Sequence, residues 1–166
     1  MKTYLKTMQN AILLIVMITS ISACGQAGGN SSKDKKEIRR VLKVYEKALN
    51  ESNVKDVLSV YTQDGVFMPS EAPTATGHQQ IKASYEYVFK ILDLNVVFAI
   101  DEIVQQGDIA YVRTVSKGDI KIIPKDVILK GDEHRELFVL EKKKGQWKIA
   151  RYMFNKMSPH KVQESK

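Results

Sequence analysis

Cysteine occurs once in the chain, at Cys24, so no internal disulfide can staple the fold. Histidine is scarce as well. His78, His134 and His160 stand far apart, and none has a partner at metal-ligand spacing. The sequence therefore predicts no metal centre, and it carries no signature of a cofactor. No Gly-x-Gly-x-x-Gly, phosphate-binding loop or Gly-x-Ser-x-Gly is present. The dinucleotide, nucleotide-phosphate and serine-hydrolase motifs are thereby absent. Proline occurs four times and tryptophan once, as Trp147. What is there is ordinary for a globular protein: 43% hydrophobic and 27% charged residues in 166, enough for one domain with a real core.

The start of the chain has its own logic. Lys2 and Lys6 precede an apolar run, Ala11 to Ile18, that is too short for an ordinary membrane-spanning helix. Small and polar residues follow. This is the three-part pattern of a secretory signal. Ile21-Ser22-Ala23-Cys24 resembles a bacterial lipobox. That resemblance implies a diacylglyceryl group on the Cys24 thiol and cleavage just before it. Two acyl chains give stable anchoring where a single chain gives only marginal binding, at ~0.8 kcal/mol per buried CH₂. The expected organisation is a cleaved signal over 1–23, a lipidated cysteine with a flexible tether over 24–33, a domain over 34–159 and a polar tail over 160–166. The expected location is the bacterial cell envelope, outside the cytoplasm and anchored to the membrane through Cys24. The anchor also removes the sole thiol from any list of nucleophiles.

The formal net charge is +7, and much of it is local. Between Lys33 and Lys47 seven bases face three acids. A solvated helix face accounts for this stretch. An exported protein rarely meets nucleic acid, so no nucleic-acid partner is expected.

Along the domain the apolar period changes once. Asp34-x-x-Glu37 has the form of a capping box. Ile38, Val41, Leu42, Tyr45 and Leu49 then follow at helical spacing. Asn53 opens a second, short helix that runs through Tyr61. Gln63-Asp64-Gly65 reads as a turn, and Val66 to Pro69 as a short strand. A third helix spans His78 to Leu92. Beyond it the period falls to two, over Val96–Asp101, Ile109–Ser116, His134–Lys142 and Gln146–Asn155. Lys117 to Asp132, broken by Pro124, reads as a hairpin extension or a covering loop. Helices first and sheet later predicts an α+β fold.

Three stretches resemble SnoaL-like proteins of the nuclear transport factor 2-like superfamily: "YTQDGVFMPSEAPTATGHQQIKASYEYVF", "GDIAYVR" and "GQWKIARYMFN". The resemblance spans about Lys36 to Pro159. It implies a cone-shaped roll, a strongly bent and mostly antiparallel sheet packed on three N-terminal helices, with a pocket between them. It also implies a homodimer. In the isomerase branch a tyrosine on the first helix binds an oxyanion, which places Tyr45 near that role. The branch has a carboxylate base just before the strand's proline, where this chain has Met68. A protonated carboxylic acid on the penultimate strand falls near Glu136. Methionine takes no proton at neutral pH, so isomerase chemistry of that kind is not expected. The epoxide-hydrolase pattern needs Arg-x-Asp, and Arg113-Thr114-Val115 lacks the acid.

The expectation that follows is a domain that binds a small apolar molecule without turning it over. Tyr45, Met68, His134, Glu136 and Phe138 would line the pocket. A hydrolase, isomerase or dehydratase using Glu136 and Tyr45 is one alternative, and a dimeric interaction module another. Glu136 carries most information, since a carboxylate among apolar neighbours either lines a wet pocket or pairs with a base such as Arg113 or Arg151. Arg151 and Asn155 are expected to share a strand face with Trp147, by simple alternation.

Overall fold

The computed structural model describes residues 27–157. The apolar run, Cys24 and the tail 160–166 lie outside the described residues. The chain divides into Met1–Lys33 and Asp34–Lys166. The fold belongs to the second unit, and of the first only residues 27–33 are described, as helix.

Helix α1 spans Ala27–Asn50. Its stripe of Ile38, Val41, Leu42, Tyr45 and Leu49 is buried, as the spacing predicts. Two expectations at its start are corrected. The part of the tether from Ala27 onward is helical, because extending an existing helix avoids the cost of nucleation. Asp34 does not cap the helix, since it lies inside it. Its Oδ1 instead accepts from Trp147 Nε1 at 3.0 Å and Lys142 Nζ at 2.7 Å.

Helix α2, Val54–Val60, opens as expected on Asn53, whose Oδ1 accepts from the Asp56 amide at 3.1 Å. Tyr61 does not end this helix. It begins strand β1, Tyr61–Met68, and the segment read as a turn at Gln63–Gly65 is an irregularity inside that strand. A two-residue strand β2, Ala75–Thr76, leads into helix α3, Gly77–Ile91. Strands β3 (Leu92–Gln106), β4 (Ile109–Ile122), β5 (Val127–Lys143) and β6 (Gln146–Lys156) follow among the described residues.

The six strands form one open sheet in the order β2-β1-β6-β5-β4-β3. Only the β1–β6 pair is parallel. With three helices before most of the sheet, this is the α+β fold that the element order predicts and the cone that the family resemblance implies. The segment Lys117–Asp132 is a hairpin extension. β4 runs on to Ile122, one 3-10 turn holds Pro124, and Ile122 pairs with Val127. Ile120 from this arm is buried, so the arm also covers the interior.

β3 would be an open edge, and edges invite pairing with other chains. Here α1 covers it with side chains. Asn50 both accepts from the Val96 amide at 2.9 Å and donates to the Val96 carbonyl at 2.8 Å, as a neighbouring strand would. Glu46 accepts from the Phe98 amide at 2.9 Å. These contacts fix α1 over the inner face of the sheet and set the depth of the space between them.

Candidate functional site

A strand of period two sends alternate side chains to one face. In β5 His134, Glu136, Phe138 and Leu140 take the inner face, and Phe138 and Leu140 are fully buried there. The register places Thr114 of β4 directly opposite Glu136, and Ser116 opposite His134. On the other side Phe154 of β6 lies opposite Glu136 and Tyr152 opposite Phe138. Hydroxyls therefore flank one carboxyl, with aromatic rings beyond it.

Both carboxyl oxygens accept hydrogen bonds. Thr114 Oγ1 donates to Glu136 Oε2 at 2.5 Å, and Ser116 Oγ donates to Oε1 at 2.7 Å. Tyr152 also donates to Oε1, at 3.4 Å. Glu136 is 5% exposed, and no base pairs with it among the described residues. Burial pushes its pKa from 4.5 to about 7, with the three hydroxyl hydrogen bonds opposing the rise. The expected partners lie elsewhere. Arg113 is on the outer face, bound to Asp101 at 2.7 Å and Glu102 at 3.0 Å. Arg151 donates to the carbonyls of Ala150 and Asp64.

The face assignment in β6 is a correction with a geometric cause. Ala150 is an extra residue, because Val139 pairs with Arg151 and Leu140 with Ile149. One inserted residue reverses which side chains point inward. Trp147 and Ile149 are buried before the bulge, and Tyr152 after it. Arg151 and Asn155 therefore fall on the opposite face from Trp147, and Asn155 meets Arg135 there at 3.1 Å.

A cavity of about 150 Å³ opens beside Glu136. Helix α1 supplies Tyr45 and Leu49 to its wall, and α3 supplies Tyr85, Val88 and the chain's turn into Leu92. The sheet supplies Leu94, Val96 and Phe98 from β3, Ser116 and Ile120 from β4, and Tyr152 and Phe154 from β6. His134 and Glu136 close it from β5. Of the five residues expected to line a pocket, Tyr45, His134 and Glu136 do so.

Phe138 and Met68 do not line it. Phe138 sits one layer deeper, stacked on Tyr152 at 4.3 Å and edge-on to Tyr45 at 5.8 Å, and so supports the wall. Met68 loses the inner side of β1 to its neighbour. Phe67 is buried and stacks on Tyr85 and Tyr152, which leaves Met68 on the other face, opposite Met153.

The tyrosines form a second network. Tyr45 and Tyr85 share a hydrogen bond of 2.5 Å between hydroxyls, and Tyr61 reaches Tyr85 at 3.3 Å. Burial, before any other cause, holds the phenols of Tyr45, Tyr61, Tyr85 and Tyr152 well above the ordinary tyrosine pKa. They remain neutral donors. His134 stands edge-on to Phe154, with Nε2 3.6 Å from Asp132 Oδ2. Burial lowers its pKa, Asp132 opposes that, and Lys156 adds to it. Among the described residues no group of His, Cys, Asp or Glu is arranged to hold a metal ion, and no helix is long and apolar enough to cross a membrane.

Sequence reasoning missed Thr114, Ser116, Tyr85 and Tyr152. The signal was present for two of them. Thr114 and Ser116 continue the inward alternation of Ala110 and Val112, so polar residues stood at core positions.

Comparison with known proteins agrees with the geometry. The SnoaL-like domain family matches residues 41–149. A ketosteroid isomerase-like protein from Erwinia carotovora atroseptica SCRI1043 is 32% identical with a TM-score of 0.71, over 75% of this chain and 96% of that one. An NTF2-like protein of unknown function from Pseudomonas putida KT2440 is 15% identical with a TM-score of 0.63, over 81% and 94%. A candidate scytalone dehydratase from Novosphingobium aromaticivorans DSM 12444 is 17% identical with a TM-score of 0.64, over 77% and 87%. These last two share the fold. No curated protein matches the sequence. With an open α+β cone, an interior cavity and a family match over most of the domain, the chain belongs to the SnoaL-like domain family of the nuclear transport factor 2-like superfamily.

Proposed function

We propose that this chain is a lipid-anchored, extracytoplasmic SnoaL-like domain that binds a small, mostly apolar molecule without turning it over. The observation that carries the reading is the cavity itself. It is walled by aliphatic and aromatic side chains and holds one convergent polar cluster, around Glu136. Few polar groups in an apolar concavity is the usual make-up of a small-molecule site. Binding without catalysis is supported by Met68, which stands where the isomerase resemblance calls for a carboxylate and lies outside the cavity wall.

The test fills the space. Leu94 lines the cavity, and Leu94→Trp would occupy it. Ring-bearing apolar compounds should raise the melting temperature of the wild-type protein and leave that of Leu94→Trp unchanged. Equal shifts in both would remove the cavity as the site. Chemical conversion of a bound compound in the same mixture would move the reading to the catalytic alternative, with Glu136 and Tyr45 at its centre.

The anchoring half rests on Ile21-Ser22-Ala23-Cys24. Expressed in a bacterium fed an alkyne-bearing fatty acid, the chain should carry the label, and Cys24→Ala should abolish it. Label retained by the variant would take Cys24 out of the reading.

A further inference from the structure

The polar cluster in the cavity is charged on one side only. Glu136 is surrounded by hydroxyl donors, and no cation answers it among the described residues. The nearest bases are engaged or turned away. Lys156 binds Asp132 at 2.5 Å, and Arg113 and Arg151 lie on the outer face. His134 faces Asp132 and is shifted toward its neutral form.

Around this carboxyl stand aromatic rings: Tyr45, Tyr85, Phe98, Tyr152 and Phe154. Ring faces attract positive charge. A carboxylate buried without a counter-charge gains most from a ligand that supplies one. A neutral ligand offers it a hydrogen bond at best, and an anion is repelled. Size narrows the choice further. A cavity of about 150 Å³ is the size that admits a single benzene ring, on the order of 150 Å³ in an apolar protein interior. The space holds one ring, and a larger skeleton would have to extend through its open side.

We propose that the cavity takes a small organic cation, an amine or quaternary ammonium no larger than one six-membered ring with a short arm, its nitrogen against Glu136 and its carbons against the rings. This rests on the reading that the cavity binds small molecules and names their charge class. Binding is coupled to the proton on Glu136. The other titratable groups facing it are Tyr45 from α1, Tyr85 from α3, Tyr152 from β6 and His134 from its own strand. β4 contributes only the hydroxyls of Thr114 and Ser116, and β3 only Phe98. The tyrosines stay neutral in the working range, and a proton gained by His134 on acidification adds positive charge to the cavity, so it weakens cation binding in the same direction as protonation of Glu136. Cation affinity falls as pH drops below about 7 and Glu136 takes up its proton.

Calorimetric titration of the full chain with benzylamine, benzyl alcohol and benzoate tests this with one shape in three charge states. At pH 8 benzylamine should bind about tenfold tighter than benzyl alcohol, and benzoate should not bind. The preference should shrink toward pH 5.5 and vanish at all pH values in Glu136→Gln, which should still bind benzyl alcohol. If benzyl alcohol binds as well as benzylamine at pH 8, or if Glu136→Gln keeps the preference, the charge class is wrong and the small-molecule reading stands. If none of the three binds, both fall.

Discussion

Replacing Glu136 with glutamine should make the protein more stable at pH 8 and leave its stability nearly unchanged at pH 4. The cause is the carboxyl's burial. Its pKa in the folded chain is about 7, against 4.5 for an ordinary glutamate. The folded state thus holds the proton more tightly than the unfolded chain does. Such a group contributes stability that is fully present below the unfolded pKa and is lost as pH rises through the folded one. The window runs from about pH 4.5 to about pH 7, and the loss across it is about 3 kcal/mol. Glutamine does not titrate and has nearly the same shape. Its amide can replace the carboxyl among Thr114, Ser116 and Tyr152, because hydroxyls rotate to donate or accept.

Urea unfolding of both proteins at several pH values measures the difference directly. The variant's advantage should be near zero at pH 4 and approach about 3 kcal/mol at pH 8. The comparison cancels other titrating groups, which both proteins share. A difference that stays flat with pH would mean that the hydroxyl cage fully offsets the burial, and a variant less stable at pH 8 than at pH 4 that it stabilises the charged form outright. The cage would then behave as an anion hole, and a resting carboxylate would need no cation from a ligand.

The helices were legible in the sequence because each buries one unbroken stripe. Ile38 through Leu49 and Ile81 with Tyr85 follow a 3.6-residue period that tertiary contacts did not override. The strands were legible as strands, but their faces were readable only between bulges. Alternation counted from Trp147 assigns Arg151 to the interior. The extra residue at Ala150 exchanges it for Tyr152, and with it one of the rings that line the cavity. Asp101 does the same in β3, where Ile100 pairs with Thr114 and Glu102 with Arg113. The two acids that result side by side hold Arg113 outside.

The site was half legible for a related reason. Glu136 stands out as a charge among inward apolar residues, and Tyr45 as a polar tip on a core stripe. Their partners come from other elements, and only the register of β4 against β5 reveals them. Thr114 and Ser116 are unremarkable in a strand until Glu136 and His134 are opposite them. Phe67 and Met68 differ by one position on β1, and nothing local says which of them faces in. Asp34 shows the converse. Its capping-box spacing is real, yet the tertiary partners Trp147 and Lys142 claim the carboxylate.

Gly118→Ala should be the most damaging single-methyl change in the sheet. Gly118 lies in β4 opposite Val96 of β3, just before the register shift toward Ile120. A Cβ at this position would stand 1.9 Å from the Asn95 carbonyl oxygen and 2.7 Å from the Val96 Cα. Those are backbone atoms, so no side chain can swing away to make room. Relief requires β3 to move off β4. Val96 is also gripped from its other edge by Asn50 at 2.8 and 2.9 Å, so that movement drags on α1. It would spread the wall formed by Leu94, Val96 and Ile120, and with it the cavity. The expected cost is about 3 kcal/mol, at the upper end of overpacking effects, since backbone must yield instead of side chain. Urea unfolding should show a lower midpoint with an unchanged slope. Gly107→Asn serves as the control. Gly107 has φ +58 and nothing within 4 Å of its would-be Cβ, and asparagine tolerates the left-handed conformation. That change should cost less than about 1 kcal/mol. Equal midpoints for Gly118→Ala and the wild type would show that β3 can yield without loss, and that the contact between Asn50 and Val96 does not hold the cavity wall in place.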